Sequence, residues 1–275
     1  MCFACETSEQ RLSNVLIETG NGGRVTIRLA RAERHNAFDD EFVADLTAAF
    51  EQAAADPTVR VIVLASSGQS FSAGADLAWM KRMATYSPEE NFRDARALAR
   101  LLQVIDGCPK PVVALVQGPA YAGGVGLVAA CDIAIAAENV VFSLTEARIG
   151  LIPATISPYV VAAIGPRACR RYFLTAERFS AAEAHRLGLV HEIVPPSELV
   201  ATGDRIVAAL LEGGPSAQTA AKELIRTVSY RVADDELAAE TAQRIATLRA
   251  SEEGQEGIAA FLEKRKPRWR DAGGR

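Results

Sequence analysis

Two short segments combine glycine with small side chains where a backbone must come close to something. The first is Ser70-Phe71-Ser72-Ala73-Gly74-Ala75-Asp76-Leu77. The second is Gln117-Gly118-Pro119-Ala120-Tyr121-Ala122-Gly123-Gly124-Val125-Gly126. Each lies between a short apolar run and a helical pattern. Small residues let a ligand approach main-chain N–H groups. A helix start leaves several such groups unpaired at the positive end of its dipole. Two helix starts facing each other could aim two donors at one oxygen, which is an oxyanion hole. Such a hole polarises a carbonyl and stabilises an enolate, each donor contributing about 3 kcal/mol. Tight strand-to-helix turns packed with small residues would show the same spacing. Neither segment matches a P-loop or a GxGxxG dinucleotide fingerprint.

Other reactive side chains form no such pattern. His35, His185 and His191 are scattered, and none pairs with a nucleophile. His185 reads as a helix-surface residue and His191 as a strand end. Ser72 lies outside any GxSxG context, which argues against a serine hydrolase. Cys2 and Cys5 form a CxxC pair, but no second pair or histidine cluster completes a zinc site, so no metal is expected. Glu183 reads as the capping-box partner of Ser180.

These turns need elements to hold them. Residues 25–29 alternate like a half-buried strand, with residues 15–18 as a partner across the turn at 20–23. Asp39 and Asp40 open an amphipathic helix to about Ala55, with Phe42, Leu46, Ala49 and Phe50 on one face. Residues 60–65 are a β-branched apolar run, as in a strand buried on both faces. Ser87-Pro88-Glu89-Glu90 is a capping box with proline first, starting a helix to about Asp106. Strands are expected at 112–116, 133–136, 141–143 and 190–194, and a small-residue helix at 124–130. Alternating strands and helices predict an α/β fold with largely parallel pairing. After Pro195-Pro196 the pattern is helical: 199–211, 216–227, 235–250 and 254–264. A boundary near residue 195 follows.

The bulk numbers narrow the classes. A chain of 275 residues suits one large domain with a helical appendage. Its 49% hydrophobic and 23% charged residues are ordinary for a soluble globular protein. A net charge of −4 gives no global pull toward nucleic acid, so none is expected as a partner. No apolar run is long enough for a membrane span. The first ten residues lack the pattern of a secretory signal, and the expected compartment is cytoplasmic.

In combination, the segments resemble the crotonase (enoyl-CoA hydratase/isomerase) family over nearly the whole chain. The matching residues are Arg34-His35-Asn36-Ala37-Phe38, residues 71–77, Gln117-Gly118, Ala122-Gly123-Gly124, Cys131-Asp132-Ile133-Ala134 and residues 146–153. The resemblance implies a crotonase (ClpP-like) spiral of repeated ββα turns in residues 1–195. It also implies a helical C-terminal segment, 196–275, that takes part in assembly as a homotrimer or dimer of trimers. The substrate would be an acyl-CoA thioester, with coenzyme A carried by the substrate and no separate cofactor. The oxyanion donors would be the N–H groups of Ala75 and Gly123, with Asp76 capping or orienting the first helix. Arg34, Ala37, Ser72, Ala73, Gly74, Leu77, Gly124 and Gly126 would line the thioester site. The basic cluster Lys264, Arg265, Lys266, Arg268 and Arg270 reads either as a contact to CoA phosphates of a neighbouring subunit or as a solvated helix end.

Hydratases of this family commonly use two glutamates, one to activate water and one to protonate Cα. Here the first position is Gly126 and the second is Glu146. One glutamate is also what the family's Δ3,Δ2-enoyl-CoA isomerases use. Residues 71–80, 148–165 and 254–269 resemble a bacterial subgroup, the methylglutaconyl-CoA and carboxygeranoyl-CoA hydratases of leucine/isovalerate and acyclic terpene breakdown. Their substrates are branched at C3 and carry a second carboxylate. Gly126 in place of glutamate removes bulk and charge beside the acyl pocket, which suits such a chain. Two alternatives stay open: the isomerase, and a non-catalytic CoA- or RNA-binding protein on the same scaffold.

Overall fold

The structure is a computed structural model and describes residues 9–271. The Cys2–Cys5 pair lies outside them. Three strands come first, β1 (Glu9–Arg11), β2 (Val15–Thr19) and β3 (Arg24–Leu29), each antiparallel to the next. Helix α1 (Asp40–Ala55) and β4 (Val61–Ser66) follow, then α2 (Leu77–Met83), α3 (Pro88–Asp106) and β5 (Val112–Val116). The middle of the chain holds β6 (Ala120–Tyr121), α4 (Gly123–Ala130), β7 (Ile133–Ala137) and β8 (Val141–Ser143). After these come α5 (Ser157–Thr175), β9 (Phe179–Ser180), α6 (Ala181–Leu187) and β10 (Glu192–Val194). Five helices end it: α7 (Leu199–Glu212), α8 (Pro215–Val228), α9 (Asp235–Ala250), α10 (Glu252–Leu262) and α11 (Arg268–Asp271).

The strands form two sheets. The large one runs β1-β2-β3-β4-β5-β7-β10, with parallel pairing from β3 onward. The small one runs β6-β8-β9. Successive turns of chain repeat one plan: a strand in the large sheet, a short extended piece in the second, then a helix. The triplets β5-β6-α4 and β7-β8-α5 follow it, and so does β4 with the bridge residue Ser72 and α2. This is a spiral of ββα turns.

Period-two alternation divides β4 between two cores. Ile62 and Leu64 join the main core with Phe42, Leu46 and Leu101, while Val61, Val63 and Ala65 pack with Leu199 and Val207 of α7. Each such fully buried aliphatic side chain contributes about 1.5–3 kcal/mol. Because α7 covers one face of the large sheet, a division at residue 195 separates chain segments but not packed layers. The helices with little buried surface begin at α8, which has no buried residue.

Local signals act as the sequence suggests at several ends. Asp39 accepts the Phe42 N–H at 2.8 Å and caps α1. Ser87 and Glu90 close a reciprocal capping box on α3 at 3.2 and 2.8 Å. At α6, however, only half of the expected box exists. Ser180 Oγ accepts the Glu183 N–H at 3.2 Å, whereas the Glu183 carboxylate is taken by Arg186 and by the Tyr172 hydroxyl.

Candidate active site

The two glycine turns meet through the second sheet and its extensions. Parallel bridges join Phe38 to Ala75 and Ser72 to Ala120, and Ala120 pairs in turn with Phe142 of β8. The Phe38 N–H donates to the Gly74 carbonyl and the Asp76 N–H to the Phe38 carbonyl, both at 2.7 Å. A parallel bridge uses the flanking residues. The N–H of Ala75 therefore makes no hydrogen bond among the described residues. The Ala122 N–H donates to the Ser143 carbonyl at 2.9 Å, and the next N–H, that of Gly123, opens α4 equally unpaired.

Close packing brings the two turns that carry these donors together. Gly74 sits at φ +88° against the second turn, where an added Cβ would stand 3.2 Å from Ala122 Cβ and 3.3 Å from the Tyr121 carbonyl oxygen. Gly123 lies on the Phe38 ring, and a Cβ there would approach Phe38 Cε2 to 2.7 Å. Ala122 takes φ 49° and ψ −116°. A non-glycine residue held there stores about 1–3 kcal/mol of strain, of a kind concentrated at functional sites.

Glu146 arrives from the same sheet. Three residues past Ser143, it opens a 3-10 turn, Glu146–Ile149, that ends at Gly150 with φ +75°. Its Oε2 is buried with no hydrogen-bond partner. Burial pushes its carboxyl group above the ordinary glutamate range. A desolvated carboxylate is a stronger proton acceptor near neutral pH than a solvated one.

Asp76 caps α2 by accepting the Ala78 and Trp79 N–H groups at 2.8 and 3.2 Å. Desolvation acts to raise its pKa, but those two N–H groups together with Arg34 and Arg31 outweigh it and hold it low. Sequence reasoning passed over Arg31. Its buried guanidinium stands 2.7 Å from Asp39 and 3.9 Å from Asp76, the caps of α1 and α2, and over the Phe42 ring. The signal was only a charged residue just past a half-buried strand. Asn36, fully buried, ties this corner by accepting the Arg31 N–H at 3.0 Å and donating to the Ser67 and Ser70 carbonyls.

The remaining expected residues divide. Arg34, Ala73 and Leu77 are exposed at the rim, and Arg34 reaches Asp76 at 3.4 Å. Ala37 and Gly124 are buried, Gly124 close against Ser72. The expectation of Ser72 as a substrate contact is corrected. It is fully buried, donating to the Asn36 carbonyl at 2.9 Å and accepting the Gly74 N–H, so its hydroxyl shapes the loop from behind. The expectation that Gly126 leaves acyl room is also corrected, because the Ile156 side chain fills that volume. Of the basic C-terminal cluster, Arg265 and Arg268 pair with Glu256, and Arg270 with Glu212. Among the described residues, no group of three or more His, Cys, Asp or Glu side chains could hold a metal ion. No helix among them is long and apolar enough to cross a membrane.

Two free main-chain donors and a desolvated carboxylate, carried on the small sheet's extensions in a spiral of ββα turns, are the groups that enolate chemistry on a carbonyl compound would need. Residues 19–272 match the family model for enoyl-CoA hydratase/isomerase. The chain is 43% identical to the crystal structure of an enoyl-CoA hydratase from Shewanella pealeana, with a TM-score of 0.92 and 94% and 97% of the two chains covered. It is 34% identical over 245 residues to enoyl-CoA hydratase ACTT6 of Alternaria alternata, covering 87% and 78% of the two chains. It is 31% identical over 242 residues to a crotonyl-CoA hydratase from Syntrophomonas wolfei, covering 86% and 90%. The chain belongs to the enoyl-CoA hydratase/isomerase family and has the crotonase fold.

Proposed function

We propose that the protein is an enoyl-CoA hydratase that adds water across the 2,3 double bond of a branched acyl-CoA bearing a second carboxylate, of the 3-methylglutaconyl-CoA or isohexenylglutaconyl-CoA type. The observation that carries the hydratase reading is the partnerless, buried Glu146 Oε2, three residues past Ser143, whose carbonyl holds the N–H of Ala122 next to the free N–H of Gly123. The N–H groups of Ala75 and Gly123 take the thioester oxygen. Glu146 removes a proton from water as the water oxygen attacks C3, the electrons pass to the thioester as an enolate, and the protonated Glu146 then returns that proton to C2. The hydratase names of the relatives support this chemistry. Support for the acidic tail comes from Arg148, in the same 3-10 turn as Glu146, whose guanidinium has no partner among the described residues. The scheme asks for no cofactor beyond the substrate's own coenzyme A.

A second reading, Δ3,Δ2-enoyl-CoA isomerisation, draws on one observation: the position where two-glutamate relatives would carry their other glutamate is Gly126, backed by apolar Ile156. One base can carry a proton between two carbons. The test is a turnover screen of 3-methylglutaconyl-CoA, crotonyl-CoA and a 3-enoyl-CoA with products identified by mass. A product heavier by one water, formed fastest from methylglutaconyl-CoA, is expected. A shifted double bond without mass change would favour the isomerase. Salt-sensitive RNA binding with no turnover would favour a binding protein, against which the net charge of −4 and Glu146 both count.

The reading includes self-association as a homotrimer or dimer of trimers. Ile225, Tyr230, Val232, Phe261 and Leu262 are exposed on or beside α8 and α10. Large apolar side chains left exposed on these helices suit an interface between copies. Sedimentation should give a trimer or hexamer, and replacing Phe261 and Leu262 by serine should shift the population toward monomer.

A further inference from the structure

Residue 126 lies one helical turn after the donor Gly123 on α4, so a side chain there would emerge on the donor's side of the helix. It has nowhere to go. A Cβ at 126 would stand 2.2 Å from Ile156 Cγ2 and 2.8 Å from Ile156 Cβ. These are not the far atoms of a flexible chain. Isoleucine is branched at Cβ and stiff about χ1. Ile156 is 2% exposed, and its carbonyl accepts the Tyr159 and Val160 N–H groups at 3.2 and 3.1 Å, which fixes it at the start of α5. The other side is fixed too, since the Gly126 N–H returns to the Ala122 carbonyl at 3.3 Å.

We propose that Ile156 is the specificity-determining residue of the site: it occupies the place of a side chain at 126 and so holds the enzyme to a single carboxylate, Glu146. A side chain at 126 and a β-branched one at 156 exclude each other. Gly126 supplies no carboxylate, and Ile156 bars one from being added by a change at 126 alone. This rests on the reading of Glu146 as the base of an enoyl-CoA hydratase. Opening the site to a second carboxylate takes two changes. Alanine at 156 would keep the atom at 2.8 Å, whereas glycine leaves only Ile156 Cα, 3.7 Å away.

The experiment is a pair of double-mutant cycles. In the first, Gly126→Ala is made in the wild type and in Ile156→Gly, and Tm is read. Gly126→Ala should lower Tm by several degrees in the wild type and by little or nothing beside Ile156→Gly. Equal losses in both backgrounds overturn the steric exclusion. In the second, Gly126→Glu, Ile156→Gly and the double variant are assayed with crotonyl-CoA. The double variant should hydrate it at least about tenfold faster than either single variant, a fraction of what a positioned general acid supplies. Coupling in Tm without gain in turnover overturns the specificity role. Failure of the function reading is separate: wild type would then hydrate no enoyl-CoA, while the thermal cycle would still report on the exclusion.

Discussion

Glu146 and Glu256 are the same residue type in two regions that treat a carboxylate in opposite ways. Glu146 sits in the spiral core, with one oxygen buried and unpartnered, and burial pushes its pKa up. Glu256 sits among the C-terminal helices with 8% of its surface exposed, yet the Arg265 side chain, the Arg268 N–H and the Arg268 side chain hold its pKa down to about 2. Low exposure alone therefore does not set the direction; the supply of donors does. The core has used its main-chain donors to build sheets and withholds two of them, at Ala75 and Gly123. The outer helices bury few apolar residues, Leu237 in α9 and Ala260 in α10, and are laced by pairs such as Arg231–Glu240 and Arg244–Glu240. One region leaves a carboxylate oxygen unsatisfied, as the proposed chemistry requires, and the other pairs its carboxylates with arginines.

The largest effect that tests this contrast is expected from Glu146→Gln. Turnover should fall by about 10²–10⁴, the usual range for a general acid–base group. The same change should raise Tm at neutral pH, because it removes a charge that burial disfavours. With its folded-state pKa above the ordinary value of 4.5, Glu146 holds a proton in the folded chain that the unfolded chain releases. Ionisation therefore costs stability as pH rises from 4.5 upward. The advantage of the glutamine variant should shrink as pH falls toward that value. Thermal melts of both proteins across the interval decide it; a lower Tm for the variant at neutral pH would show that the carboxylate has a stabilising partner.

Much of this arrangement was readable where its cause is local. The capping box at Ser87, the Asp39 cap and the apolar run of β5 depend on neighbours in sequence, and each element starts or spans as expected. Helix α5 was not read, because Gly165 at φ +75° followed by Pro166 breaks the periodic pattern that the folded chain carries through as a kink. The Glu183 box failed for a related reason: Arg186 and Tyr172, the latter eleven residues away, compete for that carboxylate. In the site, the small-residue turns pointed to the donors, but the unpaired state of Ala75 depends on the distant Phe38 bridge. The bulk that glycine at 126 gives up is taken by Ile156, thirty residues on, and nothing near Gly126 in sequence announces it.

A smaller effect is expected from Arg31, which reaches the site through two caps. Its side chain is 7% exposed, and Asp39 and Asp76 beside it are 14% and 12% exposed. Arg31→Met would leave two shielded carboxylates without their cation, a change that costs about 3–5 kcal/mol when a buried pair is broken. Asp76 is adjacent to Ala75, so a loosened cap moves the donor. The expected kinetic result is a fall in kcat of about tenfold to a hundredfold, as for a misplacement of an ångström or less, with KM changed far less. Arg31→Lys should recover part of kcat. A loss of stability with kcat intact would confine Arg31 to a structural role.

The smallest effect lies on the other side of the comparison. Glu256 gains its low pKa from Arg265 first, then from the Arg268 N–H. A carboxylate with a depressed folded-state pKa contributes stability that is fully present above its ordinary value of 4.5 and is lost as pH falls through about 2. Arg265 and Arg268 are 40% and 72% exposed, so solvent and salt screen the pairs and the contribution is modest. Acidification from pH 4.5 to about 2 should therefore raise amide exchange around α10 while the amides of β4 and β5, buried on both faces, stay protected. Glu256→Gln should exchange faster than wild type at neutral pH and show less further change in acid. If its exchange matches wild type at neutral pH, the ion pairs add nothing, and the outer helices are held by apolar contact after all.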